Sequence, residues 1–425
     1  MSIKHSMNNK HYDIAIIGGS LSACIAAALL AKQGSKVLFL RHREASASAW
    51  FHSSLFLEKL LGTLGGRSCF VAQKPIQVIS QRARVTLNND ISLNDELCRE
   101  FGPEGPAIFQ WLERLKAQGE QLDNIFWENG GLPWPSFKAT ARFKLLCMRR
   151  KINWTELDAP IIKSFTQLPA VAVAFVTDLL QGLALKKASE LTHAQAAMRW
   201  AQAMRPENLK GSDFSDLLSK RFEQFHGSKA QLEDLESIDF NGSRWTGGRL
   251  KDGGQFTATT FLLGDTRWVD RFNKGKTTAV PLPQALTRQT TSTLTGQLSP
   301  LLAQRVICGG EEPLRLAIEE SEEQLRGLIL SSGEITEKQL RRQLEPVLPF
   351  ATYTLTSEEE TPPAQARPDT AQQPQKLTNL PLKVGSNLFC ADSSALLPEM
   401  GASGAALLGW TLAEKLTSRR KQGDE

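Results

Sequence analysis

Clustered cysteines and histidines are lacking in this chain. Six cysteines are scattered singly among 425 residues, without a CxxC pair or a histidine at metal-ligand spacing. This pattern argues against zinc, and we predict no metal site. Lone thiols among apolar neighbours are typical of buried small residues in a reducing compartment, so we expect a cytoplasmic protein. The six histidines form no recognisable triad, and the sequence does not identify catalytic residues.

An excess of charge of one sign is also lacking. Lys and Arg number 50 against 45 Asp and Glu, and the net charge of +5 is small for this length. Such a balance gives no reason to expect a nucleic-acid partner. The hydrophobic content of 41% and the charged content of 22% exclude wholesale disorder.

Long apolar runs are scarce. Residues 14–31 carry no charge, and Lys4 and Lys10 precede them, which mimics a signal peptide or membrane anchor. Because Gly18-Gly19-Ser20 interrupts this run and its second half is rich in alanine, we predict no anchor. The basic run 149–151 leaves two interpretations open: a solvated face, or peripheral contact with the inner face of a membrane.

The chain opens with a strand–turn–helix–strand pattern. Residues 13–17 are a short β-branched run, typical of a strand buried on both faces of a parallel sheet. Gly18-Gly19 predicts the turn, residues 20–33 a helix that Gly34 caps, and residues 36–40 the second strand. Such a unit places a helix N-terminus at the carboxyl edge of a sheet, where backbone N–H groups can hold a phosphate.

The rest of the chain contains both strand-like and helix-like segments. Residues 75 to about 200 read as two short strands followed by long helices, which indicates a second, mainly helical lobe. Asn-Gly and Asp-Gly turns then separate short strands. The predicted strands are 75–79, 84–87, 237–240, 247–250, 255–256, 260–263 and 387–391; the helices are 94–101, 106–126, 216–225 and 402–416; and 358–376, rich in Glu, Pro and Gln, is a flexible loop.

Three separated pieces occur in an order that is found in one family. These are residues 13–23, the meander 237–263, and the ending 387–392 with 401–409. With these pieces the sequence resembles FAD-dependent amine-oxidase-fold proteins, most closely the phytoene dehydrogenase-like branch of carotenoid desaturases and isomerases. Residues 84–101 also resemble an early substrate-domain segment of that branch. The resemblance covers both ends and the middle of the chain.

The resemblance implies an α/β fold with two interleaved domains. A Rossmann-like FAD/NAD(P)-binding domain would be assembled from the discontinuous segments 1–74, 201–275 and 377–425. An inserted α+β substrate domain would comprise 75–200 and 276–376. These boundaries are predictions.

The resemblance also implies a cofactor site at the first turn. Its first glycine matches Gly18, its second position is Ser20, and its third is Ala23. A small residue such as Ala23 suffices at the third position. At the second position the motif has a glycine so that the backbone can come close to the phosphates, and the Cβ of Ser20 occupies that space. The FAD pyrophosphate would be held by Gly18, Gly19, Ser20, Leu21, Ser22 and Ala23.

The end of the second strand departs from the family pattern. Arg41, followed by His42, occupies the position of the acidic residue that binds the ribose hydroxyls. A guanidinium accepts no hydrogen bond, but it could pair with a ribose 2′-phosphate and favour NADP. A solvated basic strand end is the other interpretation. The Gly-Gly-Arg element that often follows is missing from residues 44–51.

The other end of the chain matches the flavin side of the family site. Asp392 matches the acidic residue that faces the FAD phosphate or ribityl region. Gly401, Ala402, Ser403 and Gly404 match the loop and helix start beside the flavin ring. There the helix dipole favours negative charge on the reduced ring.

The leading hypothesis is a flavin-dependent oxidoreductase of the phytoene dehydrogenase-like type, acting on a small apolar, polyene or isoprenoid-like substrate. The alternatives are an NADP-preferring reductase and a cofactor-depleted family member with a binding or assembly role. Five aromatic side chains would line an apolar tunnel or belong to the core: Trp127, Trp134, Phe137, Phe143 and Trp154. The sequence does not indicate the oligomeric state.

Overall fold

The structure is a computed structural model that describes residues 10–41, 52–66, 69–80, 83–87, 91–134, 136–266, 287–296, 298–299, 301–310, 312–320, 325–332, 336–349, 351–356 and 376–423. The strands are β1 Lys10–Ile17, β2 Val37–Arg41, β3 Phe70–Ala72, β4 Ile76–Ile79, β5 Arg84–Leu87, β6 Glu207–Leu209, β7 Ser228–Gln231, β8 Leu235–Asn241, β9 Arg244–Leu250, β10 Gln255–Leu263, β11 Thr287–Gly296, β12 Arg305–Cys308, β13 Leu314–Glu320, β14 Leu325–Ser332, β15 Ala351–Thr356 and β16 Leu388–Cys390. The helices are α1 Leu21–Lys32, α2 Leu55–Leu64, α3 Leu93–Phe101, α4 Gly105–Asn129, α5 Phe137–Arg149, α6 Trp154–Leu157, α7 Ala170–Ala184, α8 His193–Ala203, α9 Gly211–Gln224, α10 Glu337–Leu344, α11 Ser393–Leu396 and α12 Gly401–Gly423.

The first sheet has a parallel centre built from distant parts of the chain. Its strand order is β7-β2-β1-β10, with β16 on the other side of β10, and every one of these pairs is parallel. The antiparallel strands β9 and β8 extend the sheet from the start of β10. This is a Rossmann-like α/β arrangement assembled from discontinuous segments.

The register of this sheet brings four strand ends to one edge. Ile17 pairs with both Leu40 and Leu263, and Leu263 pairs with Cys390. The residues that follow these strands therefore leave the sheet at the same carboxyl edge, which is where open α/β sheets bind their ligands.

Helix α1 covers this sheet and packs against α12. Its side chains from Ser22 to Ala31 are all buried, which suits the small alanines. A Cβ added to Gly409 of α12 would lie only 2.7 Å from the Ser22 carbonyl oxygen, so the two helices approach closely there. Gln33 at the end of α1 donates to Glu414, and the two helices therefore run in the same direction.

The second sheet is antiparallel except for one pair. Its order is β15-β11-β14-β13-β12-β4-β5, and within this sheet, among the described strands, only the β12–β4 pair is parallel. Helices α3, α4, α7 and α8 form a core against its β4, β5 and β12 side. This part is the inserted α+β unit, and its exact boundaries stay predictions. No helix in the described ranges is both long and apolar enough to span a bilayer.

The opening strand–turn–helix–strand unit is confirmed, including the left-handed Gly34 (φ +83°) after α1. The prediction of separate strands at 255–256 and 260–263 is wrong. One continuous strand, β10, forms there because it pairs with β1 from Lys10 to Ile17. The final helix extends beyond the predicted 402–416. Most of the predicted loop 358–376 lies outside the described residues.

A buried carboxyl group makes the stability of the fold depend on pH. Asp123 on α4 is 4% exposed and accepts a hydrogen bond from the Phe56 N–H. Burial, with a smaller contribution from Glu58, raises the pKa of Asp123 from 3.8 to about 7, against the lowering by backbone hydrogen bonds and Arg205. The folded state therefore binds more protons than the unfolded state between these two values, and its stability falls as the pH rises through that window.

We expect Asp123→Asn to remove this pH dependence. One pKa unit corresponds to about 1.4 kcal/mol. Between pH 4 and pH 8 the free energy of unfolding of wild type should therefore fall by roughly 3–4 kcal/mol relative to that of the variant. Urea unfolding at a series of pH values measures this difference. Asp216→Asn, at an exposed carboxylate of α9, is the control and should leave the profile unchanged. A parallel pair of profiles for wild type and Asp123→Asn would contradict the prediction.

Candidate functional site

The turn after β1 is tight and hydrogen-bonded to the end of β10. Gly18 is buried with φ +101°, and a Cβ there would lie 2.4 Å from the Asp265 nitrogen. The Gly264 N–H donates to the Ile17 carbonyl, and the Ser20 N–H donates to the Gly264 carbonyl. Gly19, Ser20 and Leu21 are half-buried at the sheet edge. The turn thus exposes backbone at the N-terminus of α1.

Two serine hydroxyls connect this turn to the end of β16. Ser20 Oγ donates to the Ala391 carbonyl at 2.7 Å, and Ser22 Oγ donates to the same oxygen. Ser22 Oγ also accepts from the Ser393 N–H, and Ser20 Oγ accepts from the Ala23 N–H as the N-cap of α1. The hydroxyl of Ser20 is therefore used within the protein. Phosphate binding here would rest on backbone N–H groups of the first turn.

Arg41 lies across the glycine turn. Its Cγ is 3.1 Å from the position of a Cβ on Gly19, so the side chain covers the turn beside the N-terminus of α1. Its Nε is buried and has no hydrogen-bond partner among the residues that the structure describes. A guanidinium beside a helix N-terminus favours an anion. His42 lies outside the described residues.

Asp392 is buried and its carboxylate oxygens are occupied by protein donors. One oxygen accepts from the N–H and hydroxyl of Thr266, and the other accepts from the N–H and hydroxyl of Ser394. Burial raises the pKa of Asp392, while these hydrogen bonds lower it. Asp392 thus connects the ends of β10 and β16. Its predicted cofactor contact stays a prediction.

Helix α12 begins beyond the sheet edge. Because it runs alongside α1 with Gly409 level with Ser22, its first residue lies about 12 Å further out along the helix axis. Gly401 is exposed with φ +56°, and Ala402 to Gly404 are buried. The Ser403 hydroxyl is buried and finds no partner within the described part of the chain.

The sequence did not reveal a buried polar group that braces this helix start. Arg199 of α8 donates to the Leu183 carbonyl at 2.9 and 2.6 Å, and its Nη1 lies 3.3 Å from a Cβ placed on Gly401. Burial lowers the pKa of Arg199 to about 10, and Glu399 raises it. Glu399 accepts from Gln195, and burial raises the pKa of its carboxyl. A single arginine in an alanine-rich helix was the signal available in the sequence.

Of the five aromatic side chains considered for a tunnel or the core, four lie in one hydrophobic core or pack against it. Phe137 is 92% exposed, so the tunnel prediction is wrong for it. Phe143 and Trp154 meet edge to face in the core. Trp127 stacks on Trp410, and Trp134 packs beside Phe389. The core interpretation fits Phe143 and Trp154.

Gly18→Ala should destabilise the protein far more than Gly34→Ala. Both glycines have positive φ, but a Cβ on Gly34 meets no atom within 4 Å, whereas one on Gly18 collides with Asp265. We expect about 1 kcal/mol for the strained backbone of Gly34→Ala, and about 3 kcal/mol or more for Gly18→Ala, where a collision is added. Urea unfolding of both variants checks this; equal losses would show that the turn is looser than described.

Comparison with known proteins shows the fold. No protein-family model matches the sequence, and no curated protein matches it either. A putrescine oxidase variant redesigned in cofactor binding is 13% identical with a TM-score of 0.59, over 97% of this chain and 100% of that one. Cyclohexylamine oxidase from Brevibacterium oxydans is 15% identical with a TM-score of 0.55, over 96% and 99%.

A geranylgeranyl bacteriochlorophyll reductase-like protein from Thermoplasma acidophilum is 10% identical with a TM-score of 0.51, over 98% of this chain and 80% of that one. At these identities the similarity establishes architecture and nothing finer. The chain has the Rossmann-like α/β fold of FAD-binding oxidoreductases.

Proposed function

We propose that this protein is an FAD-dependent oxidoreductase that transfers hydride between the flavin and a small apolar substrate. One observation carries the proposal. Two helix N-termini, those of α1 and α12, lie at one edge of the first sheet, and each has a buried donor without a partner in the described residues. Arg41 Nε lies beside the first, and Ser403 Oγ lies within the second.

The residues of this edge fit an elongated dinucleotide. The N–H groups of Gly19, Leu21 and Ser22, together with the guanidinium of Arg41, would hold the diphosphate, because both favour an anion. The N–H groups of Gly18, Ser20 and Ala23 already donate to acceptors within the protein. Residues 401–404 would hold the flavin ring, and the dipole of α12 favours negative charge there. The Cβ of Ser20 narrows the space in which a diphosphate would approach the backbone of the turn, but the hydroxyl points away, to the Ala391 carbonyl.

The bound flavin supplies the two-electron chemistry, so the site needs no catalytic triad. The chain's own contribution is placement. Ser20 and Ser22 fix the start of α1, and Arg199 and Glu399 brace the start of α12. The buried Ala402 and Ser403 would help to exclude water from that end of the site.

The finer assignment rests on resemblance. The motif pieces at 13–23, 237–263 and 387–409 resemble the phytoene dehydrogenase-like branch and favour a polyene or isoprenoid-like substrate. The shared fold with a geranylgeranyl bacteriochlorophyll reductase-like protein supports an isoprenoid-like substrate. The amine oxidases of the same fold support a flavin oxidoreductase in general.

Freshly purified protein should show a flavin absorption spectrum, or acquire one on addition of FAD. Arg41→Gln should weaken FAD binding by about tenfold to a hundredfold, because a hydrogen bond to a charged group contributes roughly 1.5–3 kcal/mol. Titration with FAD, followed by flavin fluorescence, measures this affinity. Arg244→Gln, at an exposed arginine of β9, is the matched control. A colourless protein that takes up no FAD would contradict the proposal.

Arg41→Gln and one further variant separate the two alternatives. If Arg41 pairs with a 2′-phosphate, wild type binds NADP more tightly than NAD, and Arg41→Gln abolishes that preference. If the site has lost its cofactor, the double variant Ser20→Gly/Arg41→Glu gains FAD affinity over wild type. Wild type that binds FAD as tightly as the double variant, with no preference for NADP, argues against both.

A further inference from the structure

Helix α5 has an apolar stripe that faces solvent. Phe137, Ala141, Leu145 and Met148 are spaced by four, four and three residues, so they lie within an arc of about 80° at about 100° per residue. Phe137 is 92% exposed, Leu145 49% and Met148 71%. The opposite face of the helix is occupied, since Phe143 and Cys147 are buried in the core. The stripe is therefore exposed apolar surface that the protein core does not use.

Cations flank the stripe. Residues 137–151 contain six lysines and arginines and no acidic residue, in a chain whose charges are otherwise nearly balanced. At helical spacing, Lys138, Arg142 and Arg149 border one side of the stripe, and Lys144 borders the other. All four are exposed. Arg150, further round the helix, pairs with Glu128 of α4.

An exposed apolar stripe between rows of cations is the pattern of a helix that lies in a membrane interface. We propose that α5 docks this protein on an anionic lipid bilayer, with Phe137, Leu145 and Met148 inserted among the acyl chains and the flanking cations on lipid phosphates. A bilayer satisfies the apolar and the cationic residues together. The absence of acidic residues from 137–151 disfavours a second copy of the same face, because the cations would then repel one another.

The position of α5 connects this surface to the candidate site. Trp134, just before the helix, packs against Phe389 of β16, whose strand ends at the carboxyl edge of the first sheet. A bilayer bound to α5 would lie near the site that receives an apolar substrate. The docking itself does not depend on flavin binding, and the two are tested separately.

Flotation of the full chain with phosphatidylcholine vesicles, with and without phosphatidylglycerol, tests the docking. Wild type should float with the phosphatidylglycerol vesicles and remain behind with pure phosphatidylcholine or in high salt. Phe137→Ser/Met148→Ser should weaken vesicle affinity at least about tenfold, because the inserted side chains are lost. Lys138→Glu/Lys144→Glu should weaken it by a similar factor.

Two control variants match these changes elsewhere on the surface. Leu301→Ser removes another exposed apolar side chain, and Lys251→Glu/Lys338→Glu makes the same change of charge. Both should float like wild type, and thermal unfolding should show that all variants are folded. Wild type that does not float, or stripe variants that float as wild type does, would overturn the proposal. So would a dimer that Phe137→Ser/Met148→Ser dissociates in the absence of vesicles, since the stripe would then be a protein interface.

Discussion

The two hydrogen bonds to the Ala391 carbonyl are the constraint on which the site depends. They join the first turn of α1 to the end of β16 across 371 and 369 residues of chain. Because Ser393 also donates to Ser22, the start of α1 and the path that leads to α12 are fixed together. The two helix N-termini can therefore face the same edge only when the last segment has docked beside β10.

This connection also explains a departure from the usual dinucleotide turn. A glycine at position 20 would let a ligand approach closely, but it would lack the hydroxyl that accepts from the Ala23 N–H and donates to Ala391. The serine performs both tasks, so the binding of the proposed diphosphate would fall to backbone N–H groups and to Arg41. Ser20 keeps a ligand further from the backbone than a glycine would, and Arg41 adds a full positive charge at the same turn. The two departures from the family pattern, Ser20 and Arg41, therefore lie together and affect the same contact.

Local patterns in the sequence were sufficient for the parallel unit at the start of the chain. The β-branched run, the glycines and the capping Gly34 act within a few residues of one another, and the structure agrees with them. The continuity of β10 depends on pairing with β1, which is remote in sequence. The importance of Arg199 depends on the complete burial of α8. The outward position of Phe137 depends on which face of α5 the core occupies. None of these could be predicted from a local window.

Buried positive charge lies near the start of α12, at one end of the candidate site. At the start of α12, the guanidiniums of Arg199 and Arg315 both donate to the Leu183 carbonyl, and each is buried. Burial lowers the pKa of both, and Arg199 lowers that of Arg315 further. Glu399 is a nearby acid; burial raises the pKa of its carboxyl, and Lys186 and Arg199 lower it. In a medium of low dielectric these cations add to the positive end of the α12 dipole. The surroundings of Gly401 would therefore favour a ligand that becomes negative over one that stays neutral, as the proposed flavin does when it is reduced.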